Sequence, residues 1–152
     1  LPLLTSLTNC SIFTNSGTFT ASALSSLTIP SGGTFSMPAG TFSAVSLSSI
    51  TVNGTLALDY GRYSFSTSPY PSLTINSGGV LTHSANTNAK TNYIDAAFSS
   101  LLINSGGQIN VDAKGYSNPN GLGTGGFSAE YGGGGGHGGV GSASYTNLPN
   151  TS

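Results

Sequence analysis

Charge is nearly absent from this sequence. Three basic and four acidic side chains make up 5% of its 152 residues, against about 25% in ordinary soluble domains. Arg62, Lys90 and Lys114 are the only basic side chains. They are too few to neutralise a phosphate backbone, so nucleic acid is excluded as a partner. Tryptophan is missing, and cysteine occurs once, at Cys10. One thiol cannot build an internal disulfide framework, and Cys10 reads as a small buried hydrophobe rather than a reactive group. No apolar run approaches the roughly 20 residues of a membrane span. Helical periodicity is missing too, in a chain where Ser and Thr, both mediocre helix formers, supply roughly three residues in ten.

What is present is 36% hydrophobic residues, many of them β-branched or aromatic, with a formal net charge of −1. Disordered segments combine low hydrophobicity with high net charge, so this composition favours an ordered chain through residue 112. Order there comes from a repeat. Ser26-Leu27-Thr28-Ile29-Pro30-Ser31-Gly32-Gly33 opens one copy, and Ser49-Ile50-Thr51-Val52-Asn53-Gly54 is a shortened second. Ser72-Leu73-Thr74-Ile75-Asn76-Ser77-Gly78-Gly79 and Ser100-Leu101-Leu102-Ile103-Asn104-Ser105-Gly106-Gly107 follow. Leu27, Ile50, Leu73 and Leu101 fall 23, 23 and 28 positions apart. A fainter copy is read at Ile12-Phe13-Thr14-Asn15-Ser16-Gly17.

Each unit has one grammar. Leu73 and Ile75 alternate with Ser72 and Thr74, the period of a half-buried strand. Asn-Ser-Gly-Gly then supplies a turn, because Asn and Gly tolerate positive φ, and a second short strand follows. Independent hairpins in a sandwich fit this grammar, and so does an all-β parallel β-helix, or β-solenoid, pairing each strand with its counterpart one repeat later. The near-constant spacing favours the solenoid. It predicts an inward ladder of Leu27, Ile50, Leu73 and Leu101, a second of Ile29, Val52, Ile75 and Ile103, and a stack of Asn53, Asn76 and Asn104 at the turn. The stretches 60–71 and 82–98 are expected to leave one corner as loops. The degenerate repeats span residues 1–112. Residues 113–152 are Gly-rich, including Gly132 through Gly139 interrupted only by His137. That segment reads either as a continuation of the solenoid or as a flexible tether.

The units running into Gly-Gly-Gly-Gly-Gly-His-Gly-Gly resemble the Gly-rich extracellular parallel β-helix proteins of microbial and protist surfaces. The resemblance covers roughly residues 26–141. It implies a right-handed β-helix at the cell surface and assigns no catalytic residue.

Searching for chemistry yields little. Asp59, Asp95 and Asp112 are the acids that neighbouring coils can bring together, but none belongs to a catalytic motif, and surface solvation accounts for each. His83 and His137 are too isolated for a metal site, which needs three or four ligands. The glycine run lacks the Gly-Lys-Ser/Thr ending of a phosphate loop. No cofactor is expected, and the chain does not read as an enzyme. Tyr60, Arg62, Tyr63 and Tyr70 form an aromatic group that suits stacking on a sugar, or that packs its own rings over the solenoid. Asn9, Asn53 and Asn150 head N-glycosylation triplets, which chance alone produces at this Ser/Thr content. The row Thr28, Thr51 and Thr74 suggests an ordered hydroxyl face of the kind that binds ice, interrupted by Leu102.

The leading expectation is a structural protein of an extracellular fibre, sheath or appendage that self-associates by stacking solenoids through their open strand edges. The apolar stretch from Leu1 to Phe13 is a candidate strand for donation to a neighbour. The alternative is an adhesin or carbohydrate-binding module that recognises surface polysaccharide through the Tyr60–Tyr70 loop.

Overall fold

The computed structural model describes residues 4–8, 12–14 and 17–116. The expectations for Asn9, Cys10, His137, Asn150 and most of the Gly-rich segment 113–152 fall outside them. The chain divides into two compact units, Leu1–Ser84 with Thr91–Asp112, and Ala85–Lys90 with Ala113–Ser152. In the second, the backbone and side-chain amides of Asn86 both donate to Lys114 O, each at 3.1 Å. All thirteen described strands belong to the first.

These strands are β1 (Ser6–Leu7), β2 (Ile12–Thr14), β3 (Thr18–Thr20), β4 (Ser26–Ile29), β5 (Thr34–Ser36), β6 (Thr41–Ala44) and β7 (Ser49–Val52). After them come β8 (Thr55–Ala57), β9 (Tyr63–Phe65), β10 (Ser72–Ile75), β11 (Val80–Thr82), β12 (Ser100–Ile103) and β13 (Gln108–Ile109). They form three sheets, ordered β1-β4-β7-β10-β12, β2-β5-β8-β11-β13 and β3-β6-β9. Every described pairing is parallel and joins a strand to its counterpart one coil away. The molecule is a parallel β-solenoid of about three complete turns, continued by strands on two faces only.

The repeat sets the register. Leu27, Ile50, Leu73 and Leu101 are aligned partners, as are Ile29, Val52, Ile75 and Ile103. Alternation sends these side chains inward and Ser and Thr outward, so in β4, β7 and β10 the inward positions are buried and the outward ones half-exposed. Phe35, Leu56 and Leu81 fill the core from the second face. The third contributes Phe42, with Phe19 stacked on it at 5.7 Å and Tyr63 edge-on at 6.4 Å. Burying each aliphatic side chain contributes about 1.5–3 kcal/mol, and no charge has to be accommodated inside the ladders.

At the corner between the first two faces the Asn-Ser-Gly-Gly turn closes with Gly79 N–H donating to Asn76 O at 2.8 Å. The two glycines serve different ends. Gly78 has φ +76°, the left-handed region required at the third position of a type II turn. Gly79 is there for space: a Cβ on it would lie 2.2 Å from Val52 O of the preceding coil. The Asn stack bonds the coils along the axis. Asn53 Nδ2 donates to Ile29 O at 3.3 Å, Asn76 Nδ2 to Asn53 Oδ1 at 2.8 Å, and Asn104 Nδ2 to Asn76 Oδ1 at 2.7 Å.

Three expectations change. The faint copy at Ile12 is out of phase, since β2 pairs with β5 on the second face while Ser6–Leu7 takes the first-face position. Residues 6–7 and 12–14 thus pair within their own solenoid on one side and form the outer edges of the first two sheets. The stretch 60–71 is not all loop, because Tyr63–Phe65 is a strand of the third sheet. The stretch 82–98 departs after Thr82, and within it Ile94 and Phe98 pack against the core.

The ladders end differently at β12 and β13. Leu73 and Ile75 are fully buried, whereas their partners Leu101 and Ile103 are 50% and 42% exposed. Ile109 and Val111 are similarly open.

Truncating Leu73→Ala is expected to cost about 2–5 kcal/mol in denaturant unfolding, and Thr74→Ala, on the outer side of the same strand, within about 0.5 kcal/mol. Gly32 (φ +72°) has no atom within 4 Å of an added Cβ. Gly32→Ala should therefore lower stability by about 1–2 kcal/mol through its backbone conformation alone. Gly79→Ala should lower the thermal midpoint further, because the neighbouring main chain has to move.

Candidate functional site

Of the four residues read as a sugar-stacking group, Tyr63 and Tyr70 line one cleft, and Tyr60 and Arg62 are not part of its wall. Tyr63 faces inward among Phe35, Phe42 and Phe65, and its hydroxyl donates to Ala57 O. Arg62 donates from its guanidinium to Gly40 O at 3.4 Å, one coil back. Tyr60 lies outside, with its ring stacked on Tyr93 at 4.3 Å and 14°. Tyr70 is exposed and shares the cleft wall with Tyr63. The period-two pattern Tyr63-Ser64-Phe65-Ser66 carried the signal for Tyr63: it marks a strand whose aromatics face the core.

The aspartates also separate. Asp59 is not a solvated surface residue but is 8% exposed. Its carboxylate accepts from Ser84 N–H and from Ser84 Oγ, both at 2.7 Å. These charge-assisted bonds fasten the start of the long insertion to the coil below. Asp112 is exposed beside Asn110, whose Oδ1 accepts from its N–H at 2.9 Å. Among the described residues no group of three His, Cys, Asp or Glu side chains is placed to hold a metal ion. Asn53 sits in the amide stack, its Nδ2 engaged with Ile29 O. On the outer first face, Thr28, Thr51 and Thr74 align in one row, followed by the exposed Leu102.

Among the described residues, a concave feature lies beside β9. The third sheet stops at this strand, and the insertion passes next to it. Between them is a half-open cleft of about 220 Å³. Its wall includes Tyr63, Ser64, Ser66, Thr67, Tyr70 and Asp95. The strand contributes Tyr63 and Ser64, the segment leaving it supplies Ser66 to Tyr70, and the insertion brings Asp95. Sequence reasoning singled out Tyr63 and Tyr70 for sugar contact but joined neither to Asp95, which lies 25 positions beyond Tyr70. Only the coil geometry closes that distance.

Burial, and secondarily the charge of Asp59, hold the Tyr63 phenol well above its ordinary value of 10.0. Its neutral form therefore stabilises the fold. That contribution is complete below pH 10 and is lost as pH rises from there toward the raised folded value. In denaturant melts at increasing pH, the wild-type midpoint should fall more steeply above pH about 10 than that of Tyr63→Phe, which has no proton to lose. Parallel slopes would remove the buried phenol from the account. Comparison with protein-family models, curated proteins and solved structures finds no match to this chain, so its function is read from the fold and these groups.

Proposed function

We propose that the chain is an extracellular structural protein, a subunit or segment of a surface fibre, sheath or appendage built by stacking solenoids end to end. The observation that supports this most is the unfinished ladder at β12 and β13. Leu101, Ile103 and Ile109 occupy inward positions yet remain about half exposed, where their partners Leu73, Ile75 and Leu81 are buried.

An edge of this kind invites another strand. Soluble β-proteins block exposed edges with Lys, Pro or a bulge, but the edge strands here read Ser-Leu-Leu-Ile and Gln-Ile. Asn104 donates down the amide stack, and among the described residues its Oδ1 accepts no hydrogen bond, leaving an acceptor for one more amide. The fitting occupant is a second copy, whose β1, β2 and β3 form the opposite edges of the same three sheets. Such a contact is head-to-tail and does not close on itself, so it propagates as a filament. The extracellular setting is carried by the resemblance of the Leu-Thr-Ile-Asn-Ser-Gly-Gly units to surface β-helix proteins. No helix among the described residues is long and apolar enough to cross a membrane.

Concentrated protein should form unbranched filaments in negative-stain microscopy, and the double variant Leu101→Asp with Ile103→Asp should remain monomeric by sedimentation. A wild-type chain that stays monomeric at high concentration would overturn the reading.

A further inference from the structure

We propose that the cleft beside β9 binds one neutral sugar unit. It stands apart from the assembly reading, because its residues belong to the third face and the insertion rather than to β12 or β13.

The cleft gathers polar groups that the protein itself does not use. The side-chain oxygens of Ser64, Ser66, Thr67, Tyr70 and Asp95 make no hydrogen bond within the described residues. Ser66 matters most: it is only 9% exposed, its hydroxyl is not sealed from solvent, and it lines the cleft. A hydroxyl with no protein partner that still reaches solvent keeps its donor and acceptors for whatever occupies the cleft. Elsewhere on the solenoid, some Ser and Thr hydroxyls bond to the neighbouring coil, as Ser48 Oγ does to Ser25 O at 2.8 Å. Those lining the cleft do not.

The kinds of group present select the ligand class. Three aliphatic hydroxyls both donate and accept, matching ring hydroxyls that do the same. The Asp95 carboxylate accepts two donors and disfavours an anionic ligand. Tyr70 is 44% exposed and offers a ring face to the C–H side of a pyranose. A volume of about 220 Å³ is below the about 300–1,000 Å³ of pockets for drug-sized ligands, which restricts the occupant to a single ring.

Saturation-transfer NMR on the dilute full-length chain tests this with glucose, galactose, mannose, N-acetylglucosamine and glucuronate. Dilution keeps the outcome independent of filament formation. At least one neutral sugar should receive saturation, strongest on ring C–H protons, and glucuronate should receive none. Asp95→Asn and Tyr70→Ala should each weaken binding about tenfold, as expected for the loss of a charge-assisted bond or a stacking face. Tyr60→Ala, on the Tyr93 stack outside the cleft wall, should leave it unchanged. Asp95 and Tyr70 are both exposed, so an unaltered amide spectrum establishes that these variants fold. No saturation of any neutral sugar, binding indifferent to both cleft variants, or glucuronate binding as well as glucose would each overturn the proposal.

Discussion

Parallel, in-register stacking of one coil on the next is the constraint on which the rest of the structure depends. Strands about 4.8 Å apart place identical positions over one another, so a residue type suited to the core in one coil is suited in all. Leu27, Ile50 and Leu73 are buried for this reason. The same spacing dictates the turn. Main chains at the corner approach so closely that Gly79 cannot carry a side chain, and Asn76 can bond to Asn53 without a water between them. Cohesion comes from apolar ladders, backbone bonds and amide stacks, all neutral. A chain with 5% charged residues is therefore consistent with a well-ordered molecule.

The first face was legible because it carries both signals at once, a period of two within the strand and a period of 23 between coils. Its register and amide stack agree residue by residue with the expectation from spacing. The third face was not legible, for a physical reason. Thr18–Thr20, Thr41–Ala44 and Tyr63–Phe65 share a single inward aromatic column, Phe19, Phe42 and Tyr63. Only a lone glycine (Gly17, Gly40, Gly61) leads into each, without the Asn-Ser-Gly-Gly turn that marks the first face. The faint copy at Ile12 misled in the opposite sense: its residue types suit any half-buried strand, and only pairing with β5 reveals which face it occupies. Asp59 was read as solvated because an acid in a Ser/Thr-rich chain is usually so. Its burial depends on Ser84, which arrives one coil later.

Both functional proposals arise where the stacking pattern is interrupted. The insertion after Thr82 ends the third sheet at β9 and leaves a cleft walled by hydroxyls, an aromatic ring and one carboxylate. At β12 and β13 the ladder continues in register, but its inward side chains remain about half exposed where those of the preceding coil are buried. The interior coils satisfy themselves, so chemistry is confined to the places where the repeat departs from itself.

Site-resolved amide hydrogen exchange, followed from dilute to concentrated protein, tests the central claim most directly. Local opening free energies should be highest in β7 and β10 at every concentration, since these strands are paired on both sides. The amides of β12 and β13 should exchange rapidly in dilute solution and gain protection as concentration rises and another copy completes the ladder. Protection of β12 and β13 equal to that of β10 in dilute solution, or an exchange pattern indifferent to concentration, would contradict the account.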